Sequence, residues 1–187
     1  MSDIMIRTLP IQTQRLYLRQ FAMTDVQKAY DNWMSDGDVT EFLTWDAHRS
    51  TEETQRVIAK WVYAYDYGTM DWCICIKRSL EPIGSITAVQ DYPEYGYCEL
   101  GYCIGKDHWG KGYMTEALKA VTEYIFRSTD YDWIQARCDS ENYGSRRCLE
   151  KCNYRIVAEP RLPCEKRGGE LRRYHMMRID RRDIPGL

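Results

Sequence analysis

Residues 98–118 read CELGYCIGKDHWGKGYMTEAL and carry the most informative pattern in this chain. A strand is predicted at 97–104, and apolar residues at helical spacing predict a helix that begins near Gly110. The first N–H groups of a helix have no partner within the helix, and the helix dipole gives them partial positive charge. Gly110 and Gly112 leave these groups accessible, and Lys111 adds a positive charge, which is the pattern of a phosphate or pyrophosphate site. The alternative is that the two glycines only ease the turn between strand and helix.

The loop differs from two well-known phosphate-binding motifs. The P-loop pattern G-x-x-x-x-G-K-S/T is absent from the chain. The dinucleotide pattern G-x-G-x-x-G also fails, because Thr115 stands where the third glycine would be. The loop alone therefore predicts an anion site without naming the ligand.

The remaining elements are predicted from caps and apolar periodicity. Capping boxes at 24–27 and 50–53 predict two early helices, the first of which ends near Ser35, with 37–49 between them as loop. The apolar face of the second helix carries Val57, Ile58, Trp61, Val62 and Tyr65. A short helix is predicted at 143–152, and a turn at Gly168-Gly169 precedes the last strand. The predicted strands, besides 97–104, are 15–19, 71–77, 83–90, 133–139, 154–159 and 173–180. This order predicts an α+β fold with a mixed sheet, because consecutive strands favour antiparallel pairs and one strand–helix–strand unit favours a parallel pair.

Length and composition limit the classes of protein. The chain has 187 residues, 44% hydrophobic and 29% charged, which suits a globular protein of one domain. A net charge of −2 disfavours nucleic acid as the main partner. We expect a cytoplasmic protein, because no run approaches the roughly 20 apolar residues of a membrane span and the N-terminus lacks a signal-peptide pattern.

Eight cysteines are a high number, but their spacing does not indicate a metal site. No two of them form a C-x-x-C pair, and the three histidines are well separated. Most of the cysteines lie in apolar runs such as Trp72-Cys73-Ile74-Cys75-Ile76. We therefore expect small buried side chains, and no bound metal.

Three blocks of the chain resemble the GCN5-related N-acetyltransferase (GNAT) superfamily. Its cofactor loop has Arg or Gln, two residues, Gly, one residue, and Gly or Ala, and it maps onto WGKGYM at 109–114. Within the superfamily the loop is most similar to the RimJ/RimL branch. The blocks TQRLYLR at 13–19 and ENYGSRRCLEKC at 141–152 are similar to the same branch, and the resemblance covers about residues 12–181.

The resemblance implies a fold and a cofactor. We expect a single N-acetyltransferase domain over 1–187, with a mostly antiparallel twisted sheet of about seven strands and helices on both faces. The sheet would splay between its fourth and fifth strands, 97–104 and 133–139, to admit acetyl-CoA. Trp109 stands in place of Arg or Gln, and Met114 in place of a small residue, so Met114 is expected to add bulk beside the pyrophosphate. The cofactor-binding residues carried over are Tyr102, Cys103, Ile104, Trp109, Gly110, Lys111, Gly112, Tyr113, Met114, Asn142 and Ser145.

The resemblance also implies an acid and a base. Glu99 is the candidate base that takes a proton from the attacking amine, and the alternative is an exposed residue in a salt bridge. Ser145 is the favoured donor to the departing CoA thiolate, with Tyr143 as the second candidate. Ser145 in the first turn of a helix also has a purely local explanation, and Asn142 is either a pantetheine contact or an N-cap.

The acceptor side is predicted from charge. Between Asp31 and Glu53 there are seven acidic residues and one basic residue, Arg49. An acidic groove would attract a cationic amine, and the alternative is that these acids stabilise helix ends. The seven are Asp31, Asp36, Asp38, Glu41, Asp46, Glu52 and Glu53.

The sequence therefore predicts an acetyl-CoA-dependent N-acetyltransferase that acts on a primary amine, either a peptide N-terminus or a small molecule. One alternative is a catalytically silent acyl-CoA-binding module, and another is a binder of nucleotide phosphates unrelated to CoA. A homodimer through the final strands is expected by analogy only.

Overall fold

A computed structural model describes residues 8–158, 164–165 and 171–186. Five helices and ten strands are assigned within these ranges. The helices are α1 (Val26–Ala29), α2 (Gly37–Thr40), α3 (Thr51–Ala64), α4 (Tyr113–Ser128) and α5 (Tyr143–Lys151). The strands are β1 (Ile11–Gln12), β2 (Leu16–Arg19), β3 (Asp71–Ile76), β4 (Pro82–Tyr92), β5 (Tyr97–Ile104), β6 (Trp133–Asp139), β7 (Arg155–Ala158), β8 (Cys164–Glu165), β9 (Leu171–Arg172) and β10 (Tyr174–Asp180).

Eight of the strands form one sheet in the order β1-β2-β3-β4-β5-β6-β10-β7. Among the described strands every neighbouring pair of this sheet is antiparallel except β5 and β6, which are parallel. The predicted α+β class and mostly antiparallel sheet are thus confirmed, and the two-residue β1 is the strand that the sequence pattern was too short to indicate. Strands β8 and β9 pair separately, and the predicted turn at Gly168-Gly169 lies outside the described residues.

The sheet is covered by helices on both faces, as predicted, and β3 shows why. Its side chains alternate between two hydrophobic cores. Trp72 and Ile74 enter the main core under α4 and α5, whereas Cys73 and Cys75 enter a second core under α1, α2 and α3. The cysteines of this strand are therefore packing residues, as expected from the sequence. The side chain of Cys164 is outside the described part of the chain.

The sheet splays between β5 and β6. The two strands pair over only three positions, the last of which is Glu99 with Gln135. On its other side β5 stays paired with β4 as far as Ile104. The edge of β5 after Glu99 is thus open toward β6, which confirms the predicted splay.

The first helical segment begins differently from the prediction. The predicted capping box was Thr24 with Gln27, but Asp25 provides the cap, because its carboxylate accepts the N–H of Ala22 at 2.8 Å. Arg19 donates to both oxygens of Asp25 at 2.7 and 2.8 Å and fixes the carboxylate against the end of β2. The segment then changes from 3-10 to α to π geometry over residues 23–34.

Two other boundaries also differ. The region 37–49 was predicted as loop, but it begins with α2, whose N-cap Asp36 accepts the N–H of Asp38 at 2.8 Å. The long helix was predicted to begin near Gly110, but α4 begins at Tyr113, because Gly110 and Gly112 adopt left-handed backbone angles that do not continue a helix. Among the described helices, none is long and apolar enough to cross a bilayer.

Close backbone approach at Gly84 gives a test of this architecture. A Cβ at Gly84 would collide with the carbonyl oxygen of Cys103 and come within 2.9 Å of the Cα of Ile104. We expect Gly84→Ala to lower the free energy of unfolding by about 1–3 kcal/mol, because β4 and β5 must move apart. Denaturant unfolding measures this effect.

Gly37→Ala is the matched control, since a Cβ at Gly37 would meet no atom within 4 Å and Gly37 begins a helix. It should leave stability unchanged or raise it by up to about 1 kcal/mol. Equal stability of the Gly84→Ala variant and the wild type would contradict the β4–β5 packing.

Candidate active site

A cavity of about 1050 Å³ opens where β5 and β6 part. One end reaches the glycine-containing loop before α4 and the first turn of α5, and the other reaches α2, α3 and residues 42–45. The candidate site residues from the sequence all line this cavity except Lys111, which is exposed beside it. The structure thus brings the loop, the β5 edge and the start of α5 to one site.

The loop end has the backbone geometry of an anion site. Gly110 and Gly112 have φ angles of 71° and 78°, in the left-handed region that favours glycine. The N–H of Glu116 donates to the carbonyl of Gly112 at 3.1 Å, which is the first bond of the α4 ladder. The N–H groups before Glu116 therefore belong to the uncapped end of a helix of 16 residues.

A polar clamp holds this loop against the N-terminal segment. Arg15 donates to the carbonyl of Lys111 at 2.8 Å and pairs with Glu116 at 2.6 Å. Glu116 also accepts the hydroxyl of Thr13 at 2.6 Å and the N–H of Arg15 at 2.8 Å. Burial would raise the pKa of Glu116, but these hydrogen bonds hold it below its usual value. Sequence reasoning missed this clamp, although the block at 13–19 was one of the three that carried the resemblance.

Trp109 and Met114, which both depart from the loop pattern of the family, pack in different places. The indole N–H of Trp109 donates to the carbonyl of Ile104 at 2.8 Å, which ties the loop to the end of β5. Met114 was expected to add bulk beside the pyrophosphate. Its side chain is only 8% exposed and packs in the main core, although it also lines the cavity, so most of the added volume is buried and the expected effect on the pyrophosphate stays a prediction.

Glu99 lies at the point where the two strands part. Its side chain is buried, and its carboxylate pairs with Nε of Arg137 at 2.6 Å and accepts from the amide of Gln135 at 3.1 Å. The salt bridge that the sequence left open as the alternative is thus present, although Glu99 is buried rather than exposed, and its role as the base stays a prediction. Alternation along β5 places Glu99 on the face of Cys103, toward the second core and the cavity end at α2 and α3.

Ser145 is held from two sides. Its N–H donates to Oδ1 of Asn142 at 2.9 Å, so Asn142 is the N-cap of α5. Its hydroxyl oxygen lies 2.8 Å from the hydroxyl of Tyr102, and burial raises the pKa of Tyr102 well above its usual value, so the phenol keeps its proton. From the sequence, Tyr102 was predicted only as part of the β5 edge. Tyr143 is 69% exposed, and the structure therefore holds it less firmly than Ser145.

Two cysteines on the cavity wall differ in acidity. Hydrogen bonding with Cys152, and with Thr115 at 3.5 Å, lowers the pKa of Cys148 to about 7 although burial opposes the shift. Burial instead raises the pKa of Cys103 to about 11. Cys148 is one helical turn after Ser145, so this thiol lies on the same side of α5 as the candidate acid.

The prediction of an acidic groove at the acceptor side is wrong. Of the seven acids between Asp31 and Glu53, only Asp38 lines the cavity, and it forms an ion pair with Lys106. Asp36 and Glu53 accept backbone N–H groups at helix starts, which is the alternative that the sequence left open. The cavity end at α2, α3 and residues 42–45, hereafter the acceptor end, is instead mostly apolar: beside Thr44 and His48, its wall contains Val39, Phe42, Leu43, Trp45, Val57 and Trp61.

The described residues contain no group of three or more His, Cys, Asp and Glu side chains arranged to hold a metal ion. The residues around the cavity instead suit an organic cofactor with an anionic end. A backbone cradle with two left-handed glycines faces that end, and an open strand edge extends from it.

Comparison with known proteins agrees with this geometry. The family model described as an acetyltransferase (GNAT) domain matches residues 15–155. An uncharacterized N-acetyltransferase, p20 of Bacillus licheniformis, is 27% identical over 177 residues, which cover 94% of this chain and 98% of that protein.

Two solved structures share the fold. A GNAT-family acetyltransferase from Bacillus anthracis has a TM-score of 0.82 at 24% identity, covering 93% of this chain and 99% of that one. RimL, a ribosomal L7/L12 alpha-N-protein acetyltransferase solved with coenzyme A, has a TM-score of 0.82 at 17% identity. The match covers 92% of this chain and 98% of that one. The glycine loop, the splayed sheet and the family match lead to one assignment: this chain belongs to the GNAT family and is an acetyl-CoA-dependent acyltransferase.

Proposed function

We propose that this protein transfers the acetyl group of acetyl-CoA to a primary amine by direct attack within a ternary complex. The observation that carries the proposal is that one continuous cavity joins the glycine loop to the mostly apolar acceptor end past the open edge of β5. Both substrates can therefore meet without a covalent enzyme intermediate. Such placement replaces a bimolecular encounter by a reaction between held groups.

The glycine loop would hold the pyrophosphate of the cofactor. The first-turn N–H groups of α4 supply hydrogen bonds and partial positive charge, and Lys111 supplies a full charge from the exposed side. Trp109 and Tyr113 would flank the same group. Since the indole of Trp109 already donates to the carbonyl of Ile104, the pantetheine arm would bond mainly to the main chain of Tyr102, because the main-chain groups of the neighbouring Cys103 point toward β4.

Glu99 would act as the base, either directly or through one water. The amine must lose a proton as its nitrogen attacks the thioester carbon, and the carboxylate of Glu99 would take that proton. Arg137 and Gln135 hold the carboxylate in one orientation at the place where the strands part. The same face of β5 leads to the acceptor end, so the base stands on the side from which the amine approaches.

Ser145 would act on the leaving group. As the carbon–sulfur bond breaks, the CoA thiolate needs a proton or a hydrogen bond, which the hydroxyl of Ser145 would donate. Tyr102 would act as a positioning residue, because its protonated hydroxyl lies within hydrogen-bond distance of Ser145. Tyr143 remains the second candidate acid, although its exposure leaves it less constrained.

The second candidate function is a catalytically silent acyl-CoA-binding module, and CoA release distinguishes it from a transferase. Such a protein would be stabilised by acetyl-CoA against heat but would release no CoA when an amine is added. Turnover with an amine excludes it.

Glu99→Gln tests the proposal, because it removes the base while keeping the shape of the side chain. We expect kcat to fall by about 100-fold or more while the Kd for acetyl-CoA stays the same, measured by CoA release and by calorimetry. Glu123→Gln is the matched control, since that glutamate pairs with Arg127 on the exposed side of α4. An unchanged rate and pH profile for Glu99→Gln would contradict the assignment of the base.

Ser145→Ala and Tyr102→Phe test the acid. We expect Ser145→Ala to lower kcat by about 10–100-fold and Tyr102→Phe by about tenfold. The double variant should be no slower than Ser145→Ala alone, because Tyr102 acts through Ser145. Thermal unfolding verifies that each variant is folded. A larger loss from Tyr143→Phe than from Ser145→Ala would move the acid to Tyr143.

A further inference from the structure

We infer that the acceptor is a primary amine that carries an aromatic or similarly bulky apolar group close to its nitrogen. This inference rests on the proposed acetyl transfer and concerns the far end of the same cavity. The wall there is built from apolar side chains of α2, α3 and the segment between them: Val39, Phe42, Leu43, Trp45, Val57 and Trp61.

Three of these side chains are held in place by neighbouring residues of the protein. Val39 is only 7% exposed and belongs to the second core. Trp61 lies against Phe21 with ring centroids 4.7 Å apart, and Trp45 lies 5.3 Å from the ring of His48. Preformed apolar walls bind an apolar group without the cost of ordering side chains.

The charged groups at this cavity do not suit a substrate with several ammonium groups. Each carboxylate of the wall has a cationic side chain within 4 Å, which weakens its attraction for a second positive charge, although Oδ2 of Asp139 accepts no hydrogen bond from the described residues. The pairs are Asp38 with Lys106, Glu99 with Arg137, and Asp139 and Glu141 with Arg172 at 3.8 and 3.1 Å. Burial lowers the pKa of His48, which keeps this wall residue neutral at pH 7.

Phe42 is also held by a contact with a distant segment of the chain. Arg172 of β9 lies over the ring of Phe42 at 5.4 Å and also pairs with Glu141. This contact joins β9 to the segment after α2 and holds the ring of Phe42 in the wall of the cavity.

An amine next to an aromatic group occurs in free arylalkylamines and in peptides that begin with an aromatic residue. Both present the same chemistry to the cavity. The test therefore uses phenethylamine, ethylamine, spermidine, and two short peptides that differ only in N-terminal Phe or Ser. CoA release gives kcat/KM for each at saturating acetyl-CoA, with a no-amine control because protein thiols react with thiol reporters.

We expect kcat/KM for phenethylamine, for the Phe peptide, or for both to exceed that of its non-aromatic counterpart by about tenfold to a hundredfold, the usual gain from burying a ring. Whichever of phenethylamine and the Phe peptide is the better substrate shows whether the acceptor is a free amine or a peptide N-terminus. Equal or higher kcat/KM for ethylamine, spermidine or the Ser peptide would overturn this inference and leave the proposed acetyl transfer standing. Absence of turnover with every amine would overturn both.

Trp45→Ala and Phe42→Ala locate the effect. Each should lower the ratio of kcat/KM for phenethylamine to kcat/KM for ethylamine about tenfold, since the contact with the substrate ring is lost. Tyr63→Ala is the matched control, because Tyr63 is an exposed aromatic of α3 outside the cavity wall. Acetyl-CoA binding of each variant verifies the fold. An unchanged ratio in both cavity variants would contradict the placement of the ring.

Discussion

The main-chain pairing of β5 and β6 stops after Glu99 and Gln135, and the functional site follows from that interruption. A strand edge inside a protein exposes polar groups that need partners. Here β5 stays rigid because β4 pairs with it as far as Ile104 and because its two faces belong to two hydrophobic cores. The fold thus holds an open edge in place, where a pantetheine arm can complete it.

The polar groups around the opening are held by one another. Glu99 is fixed by Arg137 at the point where the strands part, and Ser145 is placed near Tyr102 across the gap. The loop beyond is tied to the N-terminal segment by Arg15 and Glu116. Groups that are already oriented need little reorganisation during reaction, which is the main source of electrostatic catalysis.

The sequence predicted what depends on local pattern. The strand Trp133–Asp139 and the strand Tyr97–Ile104 have the predicted ends, and the glycines before α4 are in the left-handed geometry that an open helix end requires. Nearly all candidate residues around the loop and α5 meet at one cavity. These features follow from short-range periodicity and backbone freedom.

The sequence-based predictions that failed concern features that depend on contacts between distant segments. Acids that cap helices and acids that line a groove look the same in a sequence, so Asp36 and Glu53 were predicted as part of the acceptor site. The clamp of Arg15 on Glu116 joins residues about a hundred positions apart, and no local pattern indicates it. The tertiary partner, rather than the residue type, decides such roles.

The most direct test of direct transfer is whether both substrates must be bound together. Cys148 offers a competing route, since its lowered pKa and its place in the cavity suit a thiol that could first accept the acetyl group. Initial rates measured while acetyl-CoA and a reactive amine are both varied separate the two. Direct attack predicts double-reciprocal lines that intersect, as a ternary complex requires. Parallel lines, together with acetyl-enzyme detected by mass spectrometry when acetyl-CoA is added alone, would contradict it.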